Sequence, residues 1–140
     1  MKSFSKTIAK EIPAALKVLA TPAPETLKNA AVVLGMSFGP EMAEYLSDYG
    51  AIAFGSVEFN GLTETKKNDS SLVRNTAFLR EAFPGKLNNL ALLEDRGDGD
   101  YALCDGSDHI WFFTPERSLE LVDSGMDLIG YTLQRHRSQR

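Results

Sequence analysis

Two segments of this chain begin with proline and end with glycine, and this punctuation constrains the fold more than any other sequence feature. Pro24 opens an apolar pattern of helical spacing that Gly35 closes, and Pro40 opens a second pattern that Gly50 closes. Proline suits the first turn of a helix, because the N–H that it lacks has no intrahelical acceptor there, and glycine readily adopts the backbone conformation that ends a helix. We therefore predict helices over 24–34 and 40–49.

Apolar residues alternate with polar ones after Gly50, and again in the second half of the chain. Gly55 interrupts the first run, where a bulge or a strand break would reconcile two halves that differ in phase. Turns rich in glycine and aspartate divide the second run. These patterns predict strands over 51–59, 90–94, 99–105 and 109–114.

Three further segments have apolar residues at helical spacing and are predicted as helices over 2–20, 70–82 and 118–133. In the helix 2–20, Pro13 would kink or split the helix, because proline lacks an N–H and clashes with the preceding turn. In the helix 118–133, Gly125 and Gly130 each weaken the helix by about 1 kcal/mol relative to alanine. We expect the N-terminal helix to pack on the domain through Phe4, Ile8, Leu16 and Leu19, the alternative being an arm that swaps or binds a partner.

The order of these elements predicts an α+β domain in which helices pack against a central antiparallel sheet. A length of 140 residues, with 43% hydrophobic and 24% charged, suits one globular domain. No run approaches the roughly 18 apolar residues of a membrane helix. Cys104 is the only cysteine, which excludes an internal disulfide. A cytoplasmic protein without a membrane segment is expected.

The acidic residues are concentrated in one part of the chain. Ten acids and two arginines fall between Glu94 and Asp127. The negative electrostatic field of such a segment repels nucleic acid and attracts basic partners. The alternative is that these residues only form turns, for which aspartate is well suited, and keep the surface solvated. We expect hairpin turns to group six candidate partner-binding residues: Glu94, Asp95, Asp98, Asp100, Asp105 and Asp108. The alternative interface is the 40–49 helix with the loop 63–68.

Two further patterns resemble chemical sites. The stretch 95–100 resembles a calcium loop, but counted from Asp95 glycines occupy loop positions 3 and 5, where the pattern requires oxygen ligands, and Gly106 stands at position 12 in place of glutamate. Cys104 and His109 would face each other across a four-residue turn, where imidazole can activate a thiol, yet no oxyanion donor accompanies them and a buried cysteine is more often packing. We predict no catalytic residue, no metal site and no cofactor.

Seven motifs stand in a fixed order along the chain: Leu34-Gly35, Phe38-Gly39-Pro40, Tyr45 to Gly50, Phe59-Asn60-Gly61-Leu62, Leu72 to Arg80, Leu92 to Asp95 and Gly97 to Asp105. Together they resemble the SMI1/KNR4 (SUKH) superfamily, with the YobK-like bacterial immunity proteins the most similar branch. The resemblance covers about 25–133, and the lysine-rich N-terminus and Phe38-Gly39 depart from the family pattern. It divides the chain into an N-terminal helical extension, 1–23, and an SMI1/KNR4-like domain, 24–140.

The resemblance implies a non-catalytic α+β domain that binds and neutralises a cognate toxin domain, often a nuclease, in the cytoplasm. The alternative that it implies is a scaffold or adaptor domain with another protein partner. An enzyme remains the third class. The oligomeric state is left open by the sequence.

Overall fold

The computed structural model describes residues 3–17, 24–62 and 71–139, and these ranges contain five helices and seven strands. None of these five helices has the length and apolar character to cross a membrane. The helices are α1 (Phe4–Glu11), α2 (Pro24–Leu34), α3 (Pro40–Tyr49), α4 (Ser71–Ala82) and α5 (Leu128–Arg137). The strands are β1 (Leu16–Lys17), β2 (Ile52–Phe54), β3 (Val57–Phe59), β4 (Leu90–Asp95), β5 (Tyr101–Asp105), β6 (His109–Phe113) and β7 (Val122–Asp127).

Two antiparallel sheets, in the orders β1-β2-β3 and β4-β5-β6-β7, pack with the helices into one domain. The predicted α+β class is therefore confirmed. The four-stranded sheet is apolar on both faces, since successive residues of β4 enter different clusters. Ala91 and Leu93 join the larger core with α1, α3 and α5, whereas Leu90 and Leu92 join a smaller cluster with Leu79 of α4.

The helices α2 and α3 have the predicted bounds, 24–34 and 40–49. Gly35 and Gly50 follow them with φ angles of 63° and 72°. This left-handed conformation is costly for a residue with a Cβ, which is why glycine ends both helices.

The prediction of one helix over 2–20 is wrong. α1 ends at Glu11, and after a turn at Pro13 the backbone forms β1, which pairs Leu16 with Ala53 of β2. Phe4 and Ile8 are fully buried in the larger core, so this segment contributes to the same core as the rest of the domain. Leu19 and the proposed boundary at residue 23 lie outside the described residues.

The predicted strand 51–59 is a hairpin. β2 and β3 pair Ile52 with Phe59, and Gly55 turns the chain between them with a φ of 57°. The change of phase in the apolar pattern thus marks a reversal of the chain. Phe54, Val57 and Phe59 consequently all point into the core.

The prediction of a helix over 118–133 is also wrong. Residues 122–127 form β7, in which Gly125 has a φ of 74°, and the helix begins only after Asp127. The Asp127 side chain accepts a hydrogen bond of 2.7 Å from Gly130 N–H, which makes Asp127 the N-cap of α5. At the predicted start of that helix, the Ser118 hydroxyl accepts a hydrogen bond from Glu120 N–H in a local turn.

Thr76 of α4 and Asn60, the residue after β3, form hydrogen bonds with the outer edge of β4. Thr76 Oγ1 accepts a hydrogen bond of 2.8 Å from Leu92 N–H. The Asn60 backbone N–H donates to Leu93 O at 2.7 Å, and its Nδ2 donates to Leu92 O at 2.9 Å. These bonds join the two sheets and fix the position of the β4–β5 hairpin relative to β3.

Candidate functional site

The β4–β5 turn carries three of the predicted acidic residues on the protein surface. Asp95 and Asp98 are exposed and Asp100 is half-buried. The residues 97–99 all have a positive φ, which two glycines and an aspartate tolerate better than most residues. Gly97 N–H donates to Asp95 Oδ1 at 2.9 Å, so the turn is fixed by its own side chain. We call Asp95, Asp98 and Asp100 the acidic tip.

Glu94, the fourth predicted residue, is only 2% exposed and has internal partners. Tyr131 donates to its Oε1 at 2.5 Å, and Arg135 binds both of its oxygens, with Nη2 2.7 Å from Oε2. The hydrogen bond to Glu94 raises the pKa of Arg135, while burial and this carboxylate raise the pKa of Tyr131. Glu94 therefore links β4 to α5 and does not contribute to a charged surface.

Asp108 is also buried, at 4% exposed, and it caps a helix of another segment. Its Oδ2 accepts from Glu41 N–H and its Oδ1 from Met42 N–H, both at 2.9 Å. These two N–H groups belong to the first turn of α3, where a backbone N–H has no acceptor within the helix. Asp108 is thus occupied within the fold, where a carboxylate is also favoured by the helix dipole.

Asp105, the last of the six, turns back onto its own hairpin. Its carboxylate accepts hydrogen bonds from Trp111 Nε1 at 3.0 Å and from the backbone N–H groups of Ser107 and His109. Partial burial alone would raise the pKa of Asp105, but these hydrogen bonds outweigh it and lower the pKa. The six predicted residues are therefore divided: three form the acidic tip and three serve the hairpin, a helix cap and an internal ion pair.

The expected pairing of Cys104 with His109 is wrong. Cys104 lies opposite Ile110, and His109 Nε2 instead contacts Asp123 Oδ1 at 2.5 Å. Cys104 is fully buried, and burial together with nearby carboxylates, first Asp108, raises the pKa of its thiol well above the ordinary value. The thiol is thus far from the reactive thiolate form. Within the described ranges, no group of three histidines, cysteines or acids is placed to hold a metal ion.

An open polar cleft of about 770 Å³ adjoins the acidic tip, between the β2–β3 hairpin and the β4–β5 turn. A smaller cavity of about 260 Å³ adjoins the same turn. Arg96 and Arg135 line both cavities, and Arg117 lines the smaller one. Other cleft residues with polar side chains are Ser56, Glu58, Asn60, Ser71, Asn75, Glu94 and Asp95.

Arg96 is held over two aromatic rings at the wall that the cavities share. Its guanidinium carbon lies 4.5 Å from the Phe112 ring centre and 6.0 Å from that of Tyr131. Its Nε is 3.8 Å from Asp100 Oδ2, which is an ion pair but beyond hydrogen-bond distance. The backbone N–H of Arg96 bonds to Asp100 O at 2.8 Å and fixes the base of the side chain.

Neither Arg96 nor Arg135 is predicted as a site residue from the sequence. For Arg96, a basic residue inside an acidic hairpin was the available signal. For Arg135, 41 positions after Glu94, the one signal was an acid at the end of an otherwise apolar strand.

In comparisons with known proteins, neither a family model nor a curated protein sequence matches this chain.

Proposed function

We propose that this protein is a cytoplasmic immunity protein that binds a cognate toxin domain and neutralises it through the acidic tip. Two arguments support the proposal. The ordered sequence motifs resemble the SMI1/KNR4 superfamily, and the tip presents Asp95, Asp98 and Asp100 on a turn whose backbone is fixed. The observation that carries it is this surface group of carboxylates, in which Asp95 and Asp98 are exposed and Asp100 is half-buried.

A fixed acidic turn suits a basic partner for two physical reasons. Like charges held close together produce a field that accelerates encounter with a surface of opposite charge. The backbone of the turn is already ordered by the Asp95–Gly97 hydrogen bond, so binding loses less conformational freedom there than on a flexible loop. A nuclease has a basic cleft that receives phosphate, and carboxylates can occupy the same cleft.

The proposed role requires no catalytic step by this chain. Cys104, the one cysteine, is fully buried, and burial raises the pKa of its thiol, while His109 pairs with Asp123. We therefore propose binding, not catalysis, as the activity of the domain.

Co-expression with the product of the adjacent upstream reading frame, taken as the candidate toxin, tests the proposal. The wild-type protein should restore growth of cells that produce the toxin and should co-purify with it. The double variant D95K/D98K should lose most of this protection while remaining folded. E81K/E120K makes the same charge change at exposed positions outside the tip and should still protect.

Two outcomes would contradict the proposal. Absence of binding and protection by the wild-type protein would remove the immunity role. Binding without neutralisation would favour the scaffold or adaptor role that the family resemblance also implies.

A further inference from the structure

Arg96 differs from the other arginines at the acidic tip in having a guanidinium that is ordered by ring stacking and by one ion pair of 3.8 Å with Asp100, while its N–H donors are left without a hydrogen bond among the described residues. Arg135 is neutralised by Glu94, and Arg117 is exposed. The Arg96 side chain is 27% exposed and stacked on Phe112, and among the described residues its guanidinium makes no hydrogen bond. An arginine carries five N–H donors in a planar fork that matches two oxygens of one carboxylate.

The surroundings of Arg96 decide which kind of anion fits. Asp95, Asp98 and Asp100 lie beside it along the turn, and they disfavour the approach of a free anion such as inorganic phosphate. An anionic side chain on a protein does not meet this penalty when basic side chains on either side of it reach the aspartates. The cleft of about 770 Å³ is also open enough to admit side chains from a protein surface.

We propose that Arg96 is the receptor for one acidic side chain of the partner protein, whose carboxylate binds the guanidinium while neighbouring basic side chains bind the acidic tip. This inference rests on the proposed function and specifies the partner surface as basic, acidic, basic. The pattern would give specificity as well as attraction, because a uniformly basic surface would place a cation against Arg96.

Two capped tripeptides test the inference on the whole protein. Lysine–glutamate–lysine reproduces the proposed pattern, and lysine–glutamine–lysine carries one more net positive charge. Attraction to the acidic tip alone favours the glutamine peptide. Recognition by Arg96 favours the glutamate peptide, by about threefold in Kd as for a surface ion pair. The backbone amide NMR signals of Gly97 and Gly99 report binding, and the Arg96 Nε–H signal reports the contact.

Variants distinguish recognition from a bracing role of Arg96. R96Q should reverse the preference in favour of the glutamine peptide, and R96K, which keeps the charge without the fork, should give an intermediate preference. R137Q removes the same charge from an exposed position outside the cleft and should leave the preference unchanged. If Arg96 only stabilises the turn, R96Q should change the thermal stability of the protein. The glutamate peptide should then still bind more tightly than the glutamine peptide.

The outcomes separate this inference from the proposed function. Tighter binding of the glutamine peptide by the wild-type protein, or an Arg96 signal that does not move on saturation with the glutamate peptide, would overturn the role of Arg96. Toxin neutralisation by R96Q at wild-type potency would also overturn it while leaving the immunity role intact. Inorganic phosphate that competes with the glutamate peptide at equal concentration would show a general anion site and contradict the proposed selection.

Discussion

Gly39 and Asp108 are in such close contact that residue 39 has no space for a side chain. A Cβ atom on Gly39 would lie 2.5 Å from Oδ1 of Asp108. The same carboxylate accepts the Glu41 and Met42 N–H groups at the start of α3. The two residues Gly39 and Pro40 thus have separate roles at the start of α3. Pro40 begins the helix, and Gly39 leaves space for the Asp108 carboxylate that caps it.

We expect G39A to destabilise the domain by about 2 kcal/mol, as the sum of a lost helix cap and local strain. D108A should cost about 1–2 kcal/mol through the cap alone. Urea unfolding of both variants and of G39A/D108A gives a double-mutant cycle. The double variant should cost much less than the sum, because the alanine Cβ then occupies the space that the carboxylate has left. Additive losses would contradict the proposed contact.

The element boundaries show what the sequence could and could not predict. α2 and α3 were predicted with their observed bounds because their signals are local: proline at one end and glycine with positive φ at the other. The segment 118–133 is predicted wrongly because its apolar residues fit a helical period. The helix instead starts after its N-cap Asp127, whose side chain accepts a hydrogen bond from Gly130 N–H, three residues later. β1 is two residues long and exists through its pairing with β2, a partner that no local pattern reveals.

The Glu94–Arg135 pair leads to a second prediction. We expect R135M to lower the free energy of unfolding by about 3–5 kcal/mol at neutral pH, because a buried carboxylate then has no cation. Y131F, which removes one hydrogen bond to the same carboxylate, should cost about 1–3 kcal/mol. Chemical denaturation at pH 7 measures both losses.

A matched control separates the loss of the ion pair from a general effect of replacing an arginine in α5. R137Q, in the same helix turn but exposed, provides the control and should be close to wild-type stability. A loss in R135M that equals the loss in Y131F would contradict the assignment of a buried ion pair.

The candidate site was only partly predictable for a related reason. The sequence places six acids near two turns, but it does not show which of them are consumed by the fold. Glu94 and Asp108 find partners 41 and 66 or 67 positions away, and such distances are invisible to a reading of local spacing. Asp95 and Asp98 remained on the surface because the tight turn directs their side chains into solvent.

Glu41 should make the stability of the domain pH-dependent. Burial, outweighing the hydrogen bond from Ile129 N–H and reinforced by Asp127 and Asp108, raises the pKa of Glu41 to about 7. A raised folded-state pKa means that the folded protein binds a proton more tightly than the unfolded chain. The contribution of Glu41 is thus fully present below about pH 4.5 and is lost as the pH rises through about 7.

Urea unfolding from pH 4.5 to 8 tests this expectation with E41Q, which keeps an oxygen acceptor for Ile129 N–H. E41Q should lose the part of the pH dependence that arises from Glu41 and should gain stability relative to the wild-type protein as the pH rises. E25Q, at the exposed start of α2, provides a control in which the pH profile should stay as in the wild-type protein. If the free energy of unfolding of the wild-type protein and of E41Q changed with pH in parallel, Glu41 would not be the group that makes the stability pH-dependent.

The acidic tip gives the last prediction, which concerns the rate of association with the toxin domain. D95K/D98K should lower the association rate constant by about tenfold or more at low ionic strength, because the tip contributes the attractive field. The dependence of that rate on salt should become flatter, since screening then has less attraction to remove. Stopped-flow measurements at several salt concentrations test this, with E81K/E120K as the charge-matched control. The free energy of unfolding should fall by no more than about 1–2 kcal/mol. Both aspartates are exposed, the bond from Gly97 N–H is the only internal hydrogen bond to either side chain within the described residues, and lysine tolerates the φ of 55° at residue 98 less well than aspartate. An unchanged rate and salt slope in a folded D95K/D98K variant would place the interface elsewhere, first on the 40–49 helix; the loop 63–68, the other alternative, lies outside the described residues.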